Sequence, residues 1–161
     1  YLDESLENSA CTDFNIGVAG YPEKHMEAAS LEQDIYHLKK KVEAGADYIV
    51  TQMFFDNQKY YDFVEKCRTS GINVPIIPGL KPITTKSQLS MIPHRFKVDL
   101  PNELVIAIAK AKDNKEVKEI GINWCIQQSK DLMKNGAPVL HYYSMGKSEV
   151  VKRIASEVFK D

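Results

Sequence analysis

The sequence predicts an α/β fold built around a parallel sheet. Two observations support this prediction: short β-rich runs alternate with amphipathic helices along the chain, and the runs are almost continuously apolar. Strands that are apolar on both faces are typical of parallel sheets covered by helices on either side. Four such strands form either a small open sheet or half of an eight-stranded (β/α) barrel, and both arrangements bind ligands at the carboxyl ends of the strands.

Turn and capping signals place the elements along the chain. The first strand is predicted at residues 14–21, and the first helix begins at a capping box of Ser30 and Gln33 and ends at Gly45. The later strands are predicted at residues 47–55, 74–80 and 138–145. The later helices are predicted from Asp56 or Asn57 to Gly71, over residues 84–92, 101–111 and 114–134, and along the stripe Val151, Ile154, Ala155 and Val158.

Composition excludes several classes of protein. The chain has 161 residues, which suits one domain, and its 21 basic and 22 acidic residues leave a formal charge of −1. No broad basic field therefore exists to bind nucleic acid or an anionic membrane surface. The sequence has no apolar run of about 18 residues, and its acidic start is unlike a signal peptide, so we expect a cytoplasmic protein that neither spans nor binds a membrane.

The three cysteines do not form a metal or disulfide framework in the sequence pattern. Cys11, Cys67 and Cys125 are widely spaced, with no CxxC motif and no histidine at metal-ligand intervals. We therefore expect reduced thiols and no bound metal.

Polar and aromatic side chains follow the predicted strands. They are Tyr21 and His25 after the first strand, Gln52 in the second, Lys81 after the third, and Tyr143 with Lys147 after the fourth. This set lacks a Ser-His-Asp pattern and a glycine-rich phosphate loop. Amide and aromatic groups with few acids favour the binding of a flat heteroaromatic molecule over hydrolysis.

The first predicted helix carries a polar flank beside its apolar stripe. At helical spacing Asp34, His37 and Lys41 lie on this flank, whereas Lys40 points away from it. An aspartate and a lysine near a helix start suit a ribose hydroxyl and a phosphate, respectively. From spacing alone, the alternative is that these residues are solvated helix charges.

Four segments of the sequence resemble one enzyme family. The segments FNIGVAGYPEKHMEA, DIYHLKKKVEAGADYIVTQMFFD, VPIIPGLKPITTKSQL and LHYYSMGKSE are similar, in this order and spacing, to methylenetetrahydrofolate reductases, over residues 14–150. The resemblance implies a TIM barrel that binds FAD at the carboxyl ends of its strands. It also implies hydride transfer from NADH or NADPH through the flavin to 5,10-methylenetetrahydrofolate, which yields 5-methyltetrahydrofolate for methionine supply in one-carbon metabolism.

The resemblance assigns roles to individual residues. The implied FAD contacts are Tyr21, His25, Asp34, His37, Lys40 and Lys41. The implied substrate contacts are Gln52, which meets the folate and the nicotinamide cofactor in turn, Gln88 and Lys147. Lys147 stands where many members carry an arginine, so the charge is kept and the bidentate fork is lost. Ile92 stands where some members place a phenylalanine against the folate.

The resemblance also divides the chain. Residues 1–13 are expected to form a connector, and residues 14–161 the last four βα units of the eight-stranded barrel. The family carries its general-acid glutamate in the first half, so we expect no catalytic residue in this chain. A truncated longer enzyme is favoured over a half-barrel whose partner half is another chain. Because of its open sheet edges, we expect the separate piece to self-associate as a homo-oligomer or to be only marginally stable, and we expect it to be inactive.

Two other functions stay open at this point. One is a non-catalytic half-barrel that binds flavin or folate without chemistry. The other is an aldolase-like barrel that uses Lys81 to form a Schiff base. The sequence does not distinguish NADH from NADPH.

Overall fold

The computed structural model describes residues 13–146 and 148–160. Four strands form one parallel sheet in the order β1-β2-β3-β4, with helices between them. The strands are β1 (Gly17–Gly20), β2 (Tyr48–Met53), β3 (Ile76–Leu80) and β4 (His141–Tyr142). The helices are α1 (Leu31–Glu43), α2 (Asn57–Thr69), α3 (Gln88–Phe96), α4 (Asn102–Lys110), α5 (Asn114–Lys134) and α6 (Ser148–Val158). Sequential parallel strands are the arrangement of consecutive units in a (β/α)8 barrel, which confirms the predicted fold class.

The helix starts follow the signals in the sequence. Ser30 caps α1 by accepting a hydrogen bond from the Gln33 backbone N–H at 3.2 Å, and the Gln33 side chain accepts one from the Ala29 N–H. Asp56 caps α2 through the Gln58 N–H, at 2.9 Å. These side chains satisfy backbone donors that have no partner in the first helical turn.

The outer strands are shorter than predicted. β1 covers only residues 17–20 of the predicted 14–21, and β4 covers two residues of the predicted 138–145. Both lie at the edges of the described sheet, where a strand has one pairing partner. The prediction used apolar character alone, and it therefore included residues such as Val139, which is exposed in the structure. For this reason the predicted strands were too long.

Two apolar clusters fill the interior. The larger cluster joins β2 and β3 to α1, α2, α5 and α6, with Ile49, Phe54, Phe63 and Ile154 among its buried members. The second joins the end of β2 to α3, α4 and α5. Ile92 belongs to this second cluster and is fully buried, so its side chain packs in the interior.

The described thiols belong to the larger cluster. Cys67 and Cys125 are free and buried, and burial raises the pKa of each to about 12. Such thiols are poor nucleophiles near neutral pH. Cys11 lies outside the described residues.

No helix in residues 13–146 and 148–160 is long and apolar enough to cross a membrane. Within those ranges, no group of three or more His, Cys, Asp or Glu side chains is arranged to hold a metal ion.

Candidate functional site

Two clefts lie where the strands end. The first, which we call the β1 cleft, has a volume of about 300 Å³ and follows β1. It is lined by Tyr21, His25, Asp34, His37 and Lys41, together with Glu27, Ala28 and Gln33. The structure thus brings together five of the six residues that the resemblance assigns to FAD.

Contacts inside the β1 cleft fix its loop to α1. The His25 backbone N–H donates to the Asp34 carboxylate at 2.8 Å, and the Tyr21 and His25 rings meet edge to face at 4.6 Å. Burial, with the nearby Asp34 charge, raises the pKa of Tyr21 above its usual value. The Tyr21 hydroxyl is therefore a neutral hydrogen-bonding group near neutral pH. The Glu27 N–H donates to His25 Nδ1 at 3.3 Å.

Lys40 does not line the β1 cleft. Its ammonium lies 4.9 Å from the centre of the Tyr36 ring, on the exposed side of α1. This placement agrees with the helical spacing, which points Lys40 away from Asp34 and Lys41. Among the six implied FAD contacts, Lys40 is therefore the one that this geometry supports least.

The loop that carries Tyr21 and His25 is anchored by a nearly buried carboxylate. Glu23, 9% exposed, accepts a hydrogen bond from the Asp99 backbone N–H at 3.0 Å and lies 3.9 Å from the Lys59 ammonium. Burial raises the pKa of Glu23 to about 7, against the opposing effects of the Asp99 N–H and Lys59. Lys59 also pairs with the Asp99 carboxylate at 3.5 Å. Glu23 therefore links the loop after β1 to the segment between α3 and α4.

This anchor predicts a pH-dependent stability. The pKa of Glu23 is about 7 in the folded chain and about 4.5 when exposed, so the folded protein binds more protons between these values. Glu23 therefore lowers the free energy of unfolding by about 1–3 kcal/mol as pH rises through this window. Glu23→Gln should remove this loss. Relative to the unsubstituted chain, the free energy of unfolding of Glu23→Gln, measured in urea, should therefore be more favourable at pH 8 than at pH 5.

The exposed Glu65 on α2 provides the matched control. Glu65→Gln should change the free energy of unfolding by a similar small amount at both pH values. A Glu23→Gln effect that does not vary with pH would show that Glu23 has an ordinary pKa.

The second cleft, which we call the glutamine cleft, has a volume of about 490 Å³ and lies at the ends of β2, β3 and β4. Its lining includes both predicted folate glutamines, Gln52 and Gln88, and the strand-end residues Lys81 and Tyr143. The other lining residues are Met53, Pro82, Thr84, Met91, Arg95, Phe96, Ser144, Met145, Val150 and Val151. None of these described lining residues is acidic, so the cleft favours neutral or anionic ligands.

Gln52 lies at an irregularity in β2. Val50 pairs with Ile77 and Met53 pairs with Gly79, so β2 has one more residue than β3 between these pairs. Such a bulge re-aims side chains and is common beside active sites. Gln52 lies in this bulge, half-buried, with its Oε1 accepting a hydrogen bond from the Met53 N–H at 3.0 Å. Tyr48 and Val50, on the same face of β2, are also half-buried, so a polar side chain is tolerated at Gln52.

Neighbouring strands hold the bulge in place. The Gly79 N–H donates to the Thr51 hydroxyl at 2.9 Å, and the Tyr143 hydroxyl donates to the Thr51 carbonyl at 2.8 Å. A side chain on Gly79 would overlap the Thr51 carbonyl oxygen and lie 2.7 Å from the Tyr143 ring. Glycine is thus needed at this position because two backbones and a ring approach closely beside Gln52.

Gln88 begins α3 and organises the loop before it. Its Oε1 accepts hydrogen bonds from the Thr84 and Thr85 backbone N–H groups at 2.6 and 3.1 Å. Because Oε1 is used in this way, Nε2 is the atom of Gln88 best suited to meet a ligand in the cleft. The loop contacts and the ligand contact can then be made at the same time.

One predicted residue cannot be placed, and one residue of the glutamine cleft was not predicted. Lys147 lies outside the described residues, so its role stays a prediction. Arg95 was missed by the sequence reasoning, although it lines the glutamine cleft. A signal for it was present, since Gln88, Met91 and Arg95 are spaced at i, i+3 and i+7 on one helical face.

A larger groove, of about 780 Å³, lies among α2, α4 and α5. Trp124, Ile120 and Asn57 are among its lining residues, and none of the predicted site residues that the structure describes lines it. The two strand-end clefts are therefore the candidate site, since barrels place their ligands at the carboxyl ends of the strands.

The fold is that of consecutive units of a (β/α) barrel, with an amide-lined cleft and an aromatic, basic cleft at its strand ends. Residues 2–158 match the family described as methylenetetrahydrofolate reductase. The chain belongs to this family, and the resemblance seen in the sequence motifs is confirmed.

Individual relatives show how much of the family protein is present. The chain is 40% identical over 142 residues to methylenetetrahydrofolate reductase (NADH) 1 of Arabidopsis thaliana, covering 82% of this chain and 24% of the relative. It is 35% identical over 139 residues to 5,10-methylenetetrahydrofolate reductase of Escherichia coli, covering 86% of this chain and 47% of the relative. The chain thus spans about a quarter of the plant relative's length and about half of the bacterial one's.

A solved structure shares the fold. It is an uncharacterized protein from Clostridium thermocellum that binds two copies of 5-methyl-5,6,7,8-tetrahydrofolic acid, with a TM-score of 0.57 and 19% identity. The match covers 90% of this chain and 52% of that one. At this identity the likeness shows the fold alone.

Proposed function

We propose that this chain is the folate-binding half of a flavin-dependent reductase that converts 5,10-methylenetetrahydrofolate to 5-methyltetrahydrofolate with NADH or NADPH. The observation that carries the proposal is that Gln52 and Gln88 line one cleft at the strand ends of a chain from the methylenetetrahydrofolate reductase family. Their amides present both donors and acceptors, which suit the mixed hydrogen-bonding edge of a pterin. The cleft's apolar surfaces, such as Met53 and Pro82, suit the flat faces of a folate or a nicotinamide ring.

Residues of the β1 cleft fit a flavin nucleotide. Lys41 supplies a cation for a phosphate, and Asp34, which holds the His25 N–H through Oδ2, can accept from a ribose hydroxyl through Oδ1. Tyr21, His25 and His37 add aromatic surface and hydrogen-bonding groups. When bound, FAD supplies the hydride chemistry that connects the nicotinamide cofactor to the folate.

In this proposal, the described residues bind and orient the reactants. Gln52 holds the nicotinamide cofactor and the folate in turn, and Gln88 holds the folate while its own Oε1 braces the loop at Thr84. The Tyr143 hydroxyl, bound to the Thr51 carbonyl, keeps the bulge that presents Gln52. Burial raises the pKa of Tyr143, so its phenol keeps its proton and the bond to Thr51 persists at neutral pH.

The proposal makes this chain one part of a complete site. Residues 14–161 would supply the last four βα units, residues 1–13 would connect them to the first half, and that half would supply the general acid. The 161 residues alone would be inactive and would self-associate through their open sheet edges. The function is tested by flavin reduction with NADH or NADPH, followed by reoxidation with methylenetetrahydrofolate, in protein expressed from its full reading frame.

A further inference from the structure

We infer that Arg95 sets the substrate preference of the glutamine cleft by binding the carboxylates at the glutamate end of a folate. This inference rests on the proposed function and adds a residue that neither the sequence motifs nor the family resemblance singled out. It starts from the placement of Arg95 on α3, in the same cleft as Gln88.

The face of α3 runs along the cleft. Gln88, Met91 and Arg95 all line it, whereas Ile92, between them in sequence, is fully buried in the second apolar cluster. Seven residues of helix place Arg95 about 10 Å from Gln88 along the axis. A folate held at Gln88 therefore has room to extend along α3 toward Arg95.

The charges of the cleft favour an anion at this end. The described residues that line it include the cations Lys81 and Arg95 and no carboxylate. None of the ion pairs found among residues 13–146 and 148–160 involves Arg95. Its guanidinium lies 6.0 Å from the centre of the Phe96 ring, which also lines the cleft.

Folate chemistry supplies the matching group. The pterin end is neutral and meets amides well, whereas the α- and γ-carboxylates of the glutamate lie at the opposite end of the molecule. A guanidinium binds a carboxylate through two parallel hydrogen bonds, which gives direction as well as charge. Arg95 is therefore a specificity-determining residue that distinguishes folates with a glutamate from those without one.

The test compares two ligands in protein expressed from its full reading frame. The ligands are 5-methyltetrahydrofolate and 5-methyltetrahydropteroate, which lacks the glutamate, and the dissociation constant of each is measured by calorimetry. Arg95→Met should weaken the glutamate-bearing ligand about three- to tenfold, as expected for an exposed charge-assisted contact, and leave the pteroate within twofold. Arg95→Lys should recover part of the lost affinity. The difference in affinity between Arg95→Met and the unsubstituted protein should decrease at high salt.

Lys97→Met provides a matched control, since Lys97 is an exposed cation two residues away that does not line the cleft. It should change neither dissociation constant by more than twofold. A nicotinamide cofactor also carries anionic groups, so its Michaelis constant is measured as a further arm and should not change in Arg95→Met.

The possible failures are distinct. Equal weakening of both folates by Arg95→Met, no weakening of either, or an effect confined to the nicotinamide cofactor would each overturn the role of Arg95. Failure of the unsubstituted protein to bind either folate would overturn the proposed function itself.

Discussion

Replacing Gly121 with alanine should destabilise the fold by about 3 kcal/mol. Gly121 lies on the buried face of α5, where the helix crosses the segment that follows β3. A side chain there would overlap the Ile83 carbonyl oxygen and lie 2.8 Å from its carbonyl carbon and 3.0 Å from its nitrogen. The neighbour is backbone in the interior, so it cannot move away as a flexible side chain would.

Helix propensity works in the opposite direction but is smaller. Alanine is favoured over glycine in a helix interior by about 1 kcal/mol, which would only reduce the loss. The displaced segment leads from Lys81 to Thr84, both of which line the glutamine cleft. We therefore expect Gly121→Ala to weaken folate binding as well as to lower the free energy of unfolding.

Urea unfolding measures this prediction, with Asn123→Ala as the control. Asn123 lies on the exposed face of the same helix, so its replacement should change the free energy of unfolding by less than about 0.5 kcal/mol. Equal stability of Gly121→Ala and the unsubstituted chain would mean that α5 and Ile83 are not in close contact.

Replacing Gln52 with leucine should weaken the binding of 5-methyltetrahydrofolate about 10- to 100-fold. Leucine has a similar size but no amide, so a pterin donor or acceptor would be buried without a partner, at a cost of about 1–3 kcal/mol. The Met53 N–H would also lose its Oε1 acceptor. Calorimetric titration of the folate gives the change directly.

Gln127→Leu is the matched control for Gln52→Leu. Gln127 is exposed on α5, outside the glutamine cleft, so its replacement should leave folate affinity unchanged. Thermal unfolding of both variants separates a loss of binding from a loss of fold. Normal folate affinity in a stably folded Gln52→Leu protein would remove Gln52 from the site.

The helices and the central strands were predictable from the sequence. The capping box at Ser30 and Gln33 and the start of α5 at Asn114 are local signals, and local hydrogen bonds determine them. The edge strands were less predictable, because apolar residues such as Val139 are exposed in the described structure. Strand length there depends on pairing partners, which the residue pattern does not contain.

The candidate site was likewise predictable only in part. Spacing on α1 correctly grouped Asp34, His37 and Lys41, because these three share one helical flank. The bulge at Gln52 was not predictable, because it arises from the unequal pairing of β2 with β3. Arg95 was not predicted, because most of the predicted site residues follow strands or lie on α1, whereas Arg95 lines the cleft from the last turn of α3.

The most direct test of the central claim is the visible absorption spectrum of the protein expressed from its full reading frame, recorded without oxygen. The account predicts a flavin band that NADH or NADPH bleaches and that methylenetetrahydrofolate restores, with the effective reductant identifying the electron donor. It also predicts no such cycle for the 161 residues alone. A colourless protein that does not bind added FAD, or a reduced flavin that methylenetetrahydrofolate does not reoxidise, would contradict the account.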